Sequence, residues 1–223
     1  MFLHQHPYKP FIPENATKLI VGTLPPPRFT TGELKPRDVD FCYGSIDGQL
    51  WPILNRIYNL DLIFENTTYA INQRKAFLEN NGIGICDIVE RAYRSKIDAS
   101  DLGMLNVELR DLIGYLRAHP KVVTLLFTGG NSKNGPEYFF RKHLKKYHLA
   151  LDLMNATTPK IHTFILDGRI ITTVSLTAPS GSANRAVGSN PLYKKMKAEN
   201  KSYTTIDFRV LQYTPYFKGE IDL

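Results

Sequence analysis

Cysteine is scarce in this sequence. Cys42 and Cys86 are the only two among 223 residues, which is too few for a zinc or iron–sulfur site held by cysteines. We therefore expect neither a metal nor another cofactor. Both thiols are predicted to be reduced and buried, as is usual for cysteines outside oxidising compartments.

Long apolar runs are also lacking. No window approaches the roughly eighteen apolar residues that a membrane span requires, and the start, Met1 to Pro13, lacks the segments of a signal peptide. The chain has no internal repeat, and its proline-rich stretch from Pro25 to Pro36 is short enough to be a loop. We expect one cytoplasmic, monomeric domain that spans residues 1–223 and has no membrane partner.

A phosphate-binding loop of the Walker type is missing as well. The two glycine-containing stretches Gly129–Gly135 and Gly181–Gly188 do not end in Gly-Lys-Ser/Thr, and that ending is what holds the phosphates and the magnesium ion of a nucleoside triphosphate. Hydrolysis of nucleoside triphosphates is therefore not expected.

Positive charge, in contrast, is in excess. The chain has 28 Lys and Arg against 21 Asp and Glu, a formal charge of +7, and this balance favours an anionic partner. Two basic clusters would either follow a phosphate backbone or form solvated helix faces. They consist of Lys133, Arg141, Lys142, Lys145 and Lys146, and of Lys194, Lys195, Lys197 and Lys201.

Short apolar runs that end at glycine or aspartate predict buried strands at Lys18–Val21, Ile83–Cys86 and Val122–Phe127. Two further runs, Ile161–Leu166 and Ile170–Leu176, predict a hairpin with a two-residue turn. Segments with helical spacing lie between the strands. Their apolar faces are Leu50, Ile53, Leu54, Ile57 and Tyr58; Leu102, Leu105, Leu109, Leu112, Ile113 and Leu116; and Phe140, Leu144, Tyr147 and Leu151, the last face preceded by Pro136.

Strands that alternate with helices predict an α/β fold. We expect a three-layer αβα sandwich, with helices on both faces of a mostly parallel central sheet. The binding site of such a sheet lies at the carboxyl ends of its strands. This rule points to four loops, which are Gly22–Tyr43, Asp87–Arg94, Thr128–Gly135 and Ser175–Asn190.

Several motifs in and beside these loops occur in a recognisable order. They are Leu19–Pro25, Phe41–Tyr43, Leu50–Leu54, Gly84–Arg91 and Ser175–Arg185. Together they resemble the uracil-DNA glycosylase superfamily, most closely its mismatch-type and hypoxanthine-DNA glycosylase branches. The order of the motifs makes the match far more specific than any one of them.

The resemblance implies a monofunctional enzyme whose partner is DNA containing a damaged base. It would flip a deaminated base, uracil or hypoxanthine, out of the DNA and hydrolyse the N-glycosidic bond with water. The residues expected to bind the base are Gly22, Thr23, Leu24, Phe41, Tyr43, Asp87 and Asn131. Those expected to bind the DNA backbone are Pro179, Ser180, Gly181, Ser182, Asn184 and Arg185.

Each assignment has a structural alternative. Phe41 and Tyr43 would either stack on the flipped base or belong to the core. Asp87 would either accept a hydrogen bond from a base edge or cap a following helix. The prolines after Gly22 would either stiffen a binding loop or merely end a strand. Residues 185–187 would supply a wedge for the space that the base leaves, or form part of a flexible loop.

The sequence departs from the superfamily where a water-activating Asp, Asn or Glu usually follows the first glycine, because Thr23–Pro25 stand there. The hypoxanthine branch takes its catalytic Asn from the segment before the next helix, and Gly48 aligns with it. The adjacent Asp47 is therefore the predicted catalytic residue, which would activate water and stabilise positive charge on the sugar. Its alternative role is the N-cap of that helix.

The usual His of the last motif is also missing, because Leu176–Ala178 precede Pro179. Stabilising the departing base would then fall to backbone N–H groups or to Asn131 and Asn134. Two other functions stay open. The first is a noncatalytic binder of damaged or single-stranded DNA, and the second is an enzyme acting on a free nucleoside or nucleotide. A steep salt dependence of DNA binding would count against the second.

Overall fold

The computed structural model describes residues 1–98 and 100–219, which form nine strands and eight α-helices. The strands are β1 (Phe2–Gln5), β2 (Lys18–Val21), β3 (Ile83–Ile85), β4 (Val89–Arg94), β5 (Met104–Leu109), β6 (Thr124–Phe127), β7 (Asp152–Asn155), β8 (Lys160–Leu166) and β9 (Arg169–Ser175). The helices are α1 (Arg28–Thr31), α2 (Leu50–Tyr58), α3 (Thr68–Asn80), α4 (Leu112–Ala118), α5 (Pro136–Lys145), α6 (Asn184–Ser189), α7 (Pro191–Glu199) and α8 (Thr205–Lys218).

The central sheet has six strands in the order β3-β2-β6-β9-β8-β7. Its first four strands are parallel, with Lys18 opposite both Ile83 and Thr124, and Thr124 opposite Thr172. Strand β8 pairs antiparallel with β9, and β7 pairs antiparallel with β8. The carboxyl ends of β2, β3, β6 and β9 therefore share one edge of the sheet, as the sequence predicted.

The predicted hairpin is confirmed as β8 and β9. Leu166 lies opposite Arg169, and the two residues between them, Asp167 and Gly168, have φ angles of 49° and 81°. Two consecutive left-handed residues make the turn that best matches the twist of a hairpin, and Asp-Gly is a favoured pair for it. Local turn chemistry thus sets the register of these strands.

Helices cover both faces of the central sheet, which confirms the three-layer αβα sandwich. Because side chains alternate along a strand, Leu19 and Val21 enter one core while Ile20 enters the other. The first core includes residues of α4 and α5, and the second includes residues of α2, α3 and α8. Cys42 and Cys86 are buried and free, as predicted.

The helix predicted over Leu102–Leu116 is wrong in its first half. Residues Asp101–Gly103 form a 3-10 turn, Met104–Leu109 form β5, and only α4 is helical. Strand β5 pairs antiparallel with β4, and Leu105 and Leu109 fit the alternation of a strand as well as the spacing of a helix. Pairing with β4 decides between the two. Asp111 then caps α4 by accepting from the backbone N–H of Gly114.

Two other boundaries differ from the prediction. Helix α5 begins with Pro136, as expected, but ends at Lys145, so Tyr147 and Leu151 contact the first core from beyond the helix. The predicted loop Asp87–Arg94 is mostly β4, which joins β1 and β5 in a second, antiparallel sheet. This small sheet carries the β4–β5 connection. Within the described ranges, none of the helices combines the length and apolar character needed to cross a membrane.

Candidate active site at the carboxyl ends of the parallel strands

The carboxyl ends of the four parallel strands open into a cleft of about 540 Å³, a size typical of small-ligand sites. Each of the four predicted loops contributes to it, and the β4–β5 connection adds a further wall. The cleft is lined by Thr23, Leu24, Pro25, Pro26, Tyr43, Ser45, Asp47, Gly48, Asp87, Ser100, Asp101, Thr128, Ala178, Pro179, Ser180 and Ser182.

Asp87, directly beyond β3, forms part of the cleft floor and is only 5% exposed. Its Oδ1 accepts from the Gly22 backbone N–H and from Tyr43 Oη, both at 2.9 Å. Its Oδ2 accepts from His6 Nε2 at 3.0 Å. The Nε2 atom of His6 carries the proton, because Nδ1 accepts from the Tyr8 backbone N–H at 3.1 Å. The carboxylate thus receives three hydrogen bonds.

These contacts determine the charge of Asp87. Burial by itself would raise the pKa of this carboxyl, but hydrogen bonds from His6 and Tyr43 together with the positive charge of Arg110 outweigh burial and lower the pKa. The helix-cap alternative for Asp87 is wrong, since β4 follows it. Reading a base edge stays a prediction, and Oδ2 is the oxygen that retains an acceptor position.

The Asp87 contacts give a stability prediction. In Asp87→Asn, an amide group facing His6 would force Nε2 to accept and Nδ1 to carry the proton, which then opposes the Tyr8 N–H. One buried hydrogen bond is lost in either amide orientation, so we expect a loss of about 1–3 kcal/mol in the free energy of unfolding at pH 7. Urea titrations of both proteins measure this loss.

The loss should depend on pH. Because folding lowers the pKa of Asp87 below 3.8, its ionised form stabilises the protein above that value, and this contribution disappears as the pH falls through the folded pKa. The difference between wild type and Asp87→Asn should therefore shrink below about pH 4. A difference that stays constant from pH 7 to pH 2 would contradict a charged Asp87.

Tyr43 lines the cleft with its backbone in the left-handed region, at a φ of 58°. Its Oη donates to Asp87 and lies 3.1 Å from Thr128 Oγ1. Burial, and the nearby charge of Asp87, raise the pKa of this hydroxyl well above its ordinary value, so it stays a neutral donor. The strained backbone and fixed hydroxyl hold the ring in one position, as expected of a binding-site residue.

Gly22 leaves the space that this hydroxyl occupies. A Cβ atom at Gly22 would lie 2.1 Å from Tyr43 Oη and 2.7 Å from Asp87 Oδ1. The side chains of Tyr43 and Asp87 therefore require the small size of this residue. The expected contact of Gly22 with the base stays a prediction.

Asp47 lines the cleft, but it is not the N-cap of α2, because Gln49 occupies that position. The carboxylate of Asp47 lies 2.6 Å from Lys35 Nζ and 3.3 Å from Arg28 Nη2, and its side chain is 61% exposed. The capping alternative is therefore wrong. The catalytic assignment of Asp47 stays a prediction.

Asp101 is a cleft carboxylate that sequence reasoning missed. It lies in the β4–β5 connection, where its Oδ1 accepts from Thr23 Oγ1 at 2.8 Å. Its backbone carbonyl accepts from Asn134 Nδ2 at 2.9 Å. Burial raises the pKa of Asp101 to about 6, although the Thr23 hydroxyl and the charge of Arg94 act in the opposite direction.

The sequence offered little to identify Asp101. It ends the segment Ser95–Asp101, which follows the Gly84–Arg91 motif and carries no motif of its own. Its neighbours Leu102 and Leu105 were assigned to a helix, which would have carried Asp101 away from the sheet edge. The pairing of β4 with β5 is what brings it to the cleft.

The proline-serine loop, residues Pro179–Asn184, forms part of the cleft wall. Pro179, Ser180 and Ser182 line the cleft, and Gly181 begins a 3-10 turn. Gly48 pairs with Ser180 as an isolated bridge, and the Gln49 N–H donates to the Pro179 carbonyl at 2.9 Å. The segment before α2 thus fixes this loop next to Asp47.

Arg209, on α8 and fully buried, holds the same loop from behind. Its Nε donates to the Ala178 carbonyl at 2.9 Å, Nη2 to the Ser180 carbonyl at 3.1 Å, and Nη1 to Asn184 Oδ1 at 3.0 Å. The side chain of Asn184 is therefore turned inward. Arg185 and Ala186 are exposed whereas Val187 is buried, so a wedge role is left to Arg185 or Ala186.

Three of the predicted base-binding residues, Gly22, Phe41 and Asn131, do not line the cleft. Phe41 is 6% exposed and packs in the second core, with ring centroids 6.0 Å from Phe11 and 6.3 Å from Trp51. Phe41 therefore belongs to the hydrophobic core, which was the alternative to stacking on the base. Asn131 is exposed and borders a separate groove beside α5, with Tyr138 and Arg141.

Comparisons with known proteins add one likeness. No protein-family model and no curated protein matches the chain. A solution NMR structure of a Methanosarcina acetivorans protein, described as a "putative Uracil DNA glycosylase", is similar with a TM-score of 0.54. The identity is 16%, and the match covers 93% of this chain and 99% of that one. At this identity the likeness establishes a shared fold, which agrees with the resemblance seen in the motifs.

Proposed function

We propose that this protein is a DNA glycosylase, which flips a deaminated base, uracil or hypoxanthine, into the cleft and hydrolyses its N-glycosidic bond. One observation carries the proposal. The loops that resemble the superfamily, separated by up to about 160 residues along the chain, converge on a single cleft of about 540 Å³ at the expected edge of the sheet. The shared fold with the archaeal protein supports it.

The cleft offers a place for each part of a flipped nucleotide. The ring of Tyr43 presents an aromatic surface on which a base would stack, a contact worth about 1–3 kcal/mol. Asp87 Oδ2 would accept a hydrogen bond from an N–H of the base edge. At the rim, the hydroxyls of Ser180 and Ser182, which lie 2.9 Å apart, and the backbone N–H groups near Gly181 would bind the flanking phosphates.

The basic residues around the proline-serine loop suit a DNA backbone. Arg185 is exposed on α6, and Lys194, Lys195 and Lys197 follow on α7. Binding should weaken steeply with salt, since each phosphate contact releases condensed counterions. A noncatalytic DNA binder is the second candidate, because the ion pairs of Asp47 with Lys35 and Arg28 compete with water for that carboxylate.

A single-turnover assay tests the proposal. Excess protein is incubated with oligonucleotides that carry uracil, hypoxanthine or xanthine, single- or double-stranded, and alkali then cleaves the abasic sites. Breaks at the lesion, absent from an undamaged oligonucleotide of the same sequence, would support the glycosylase and name its base. Tight binding without breaks on every substrate would replace it with the noncatalytic binder.

A further inference from the structure

Three carboxylates line the cleft among the residues that the structure describes, and their surroundings differ. Asp87 already accepts three hydrogen bonds and has a lowered pKa, so it is a weak base. Asp47 is 61% exposed and lies against two cations. Asp101 is partly buried and accepts a hydrogen bond from one neutral hydroxyl, that of Thr23. A general base needs an acceptor oxygen that is neither neutralised nor saturated.

We propose that Asp101 is the catalytic residue that positions and deprotonates the attacking water. This inference rests on the proposed function. Thr23 follows Gly22 at the carboxyl end of β2, so its hydroxyl fixes Oδ1 of Asp101 at the edge of the sheet where the cleft lies. Within the described part of the chain, Oδ2 of Asp101 has no hydrogen-bonding partner and is available to water.

The backbone around Asp101 is held in place from a second direction. Asn134 Nδ2 donates to the Asp101 carbonyl at 2.9 Å and to the Met104 carbonyl at 3.3 Å. Asn134 itself is buried and has a left-handed φ of 62°. The β4–β5 connection is therefore fastened to the loop after β6, which suits a group that must hold a water molecule at a fixed distance from the sugar.

The reaction balances with water alone. Asp101 takes one proton from the water while the water oxygen forms a bond to the sugar C1′ atom. The bond from C1′ to the base nitrogen breaks, and its electron pair leaves with the base. The proton on Asp101 then returns to the departing base or to solvent, which regenerates the carboxylate. The products are an abasic site and the free base.

The charges around Asp101 agree with this role. Its pKa of about 6 makes it a stronger base than an ordinary carboxylate while leaving it ionised at neutral pH. The charged groups that face it are Arg94 on β4 and Asp87 beyond β3. The pKa of Asp87 is lowered from 3.8, and burial lowers the pKa of His4, which contacts Arg94, to about 4. The pKa of Asp101 lies within the range from pH 5 to 8.

Single-turnover rates of base release between about pH 5 and 8 test the proposal. Wild type should lose about tenfold in rate per pH unit below 6, because the protonated carboxyl cannot accept a proton. Asp101→Asn should lose roughly 10²–10⁴-fold at pH 7.5 and show a flat profile. Thr23→Val, which removes a hydrogen bond that lowers the pKa of Asp101, should move the wild-type midpoint upward.

A control variant completes the test. Asp152→Asn is the matched control, since it makes the same change at an exposed side chain on β7, away from the cleft and from the β4–β5 connection. DNA affinity and the melting temperature of each variant show whether it is folded. If Asp101→Asn does not fold, the midpoint of Thr23→Val decides.

The role of Asp101 would be overturned if Asp101→Asn kept the rate and pH profile of wild type, or if Thr23→Val did not shift the midpoint. The proposed glycosylase activity would not be affected by either result. A large loss in Asp47→Asn alone would transfer the role to Asp47. No base release by wild type on any lesion would reject the proposed function and the inference together.

Discussion

Gly22→Ala is expected to abolish base release and to lower the free energy of unfolding by about 3 kcal/mol. The new Cβ would lie 2.1 Å from Tyr43 Oη, 2.7 Å from Asp87 Oδ1 and 3.0 Å from Thr128 Oγ1. All three atoms belong to one hydrogen-bonded cluster on the cleft floor. To make room, Tyr43 must leave Asp87, which costs a buried hydrogen bond in addition to the strain of overpacking.

The cause of the loss can be isolated with a double mutant. Tyr43→Phe removes the Oη atom that the Cβ would strike first, so Gly22→Ala should cost less in a Tyr43→Phe background than in wild type. Urea titrations of the four proteins give the coupling. Gly130→Ala is the matched control, because a Cβ there meets no atom of the described residues within 4 Å. Purely additive losses would show that Gly22 is required for another reason.

Arg209→Met is expected to destabilise the protein by about 3–5 kcal/mol and to weaken DNA binding at least tenfold. The guanidinium is fully buried, and burial lowers its pKa. Its donors hold the carbonyls of Ala178 and Ser180 and the side chain of Asn184. Hydrogen bonds from a charged donor are worth about 1.5–3 kcal/mol each, and their loss frees the proline-serine loop.

Thermal denaturation and DNA titrations at one fixed salt concentration measure these two effects. Arg56→Met is the control. Arg56 lies on α2, is half exposed and pairs with Asp207, which is on α8 like Arg209. An exposed ion pair contributes at most about 1 kcal/mol. Arg209→Lys should be intermediate, because a single ammonium group cannot span the acceptors that the guanidinium fork reaches. If Arg209→Met folds and binds DNA with unchanged affinity, the proline-serine loop does not contribute to DNA binding.

The elements that the sequence predicted correctly depend on neighbours along the chain. The apolar run Lys18–Val21 is continuous because both faces of β2 are buried, and such runs can be identified without tertiary information. The Asp167-Gly168 turn sets the register of β8 and β9 by its own backbone preference. The position of the cleft followed from the parallel order of the strands, which the alternation with helices indicated.

Other features depend on contacts between distant segments. Leu102 and Leu105 fit a helix and a strand equally well, and pairing with β4 made the choice. Phe41 and Tyr43 are two residues apart and equally aromatic, yet one packs in the core while the other lines the cleft. Tyr43 is at the cleft because its hydroxyl reaches Asp87, 44 residues away.

The sequence by itself determined the layers, the strand order of the hairpin and the edge of the sheet where the cleft lies, because periodicity and turn chemistry are local properties. Only the tertiary structure decided the surroundings of each cleft carboxylate. Asp47, Asp87 and Asp101 are the same residue type, but Asp47 lies in an exposed ion pair, Asp87 accepts three hydrogen bonds and Asp101 is partly buried. Burial and hydrogen bonding come from residues far along the chain, so the composition of a motif does not reveal them.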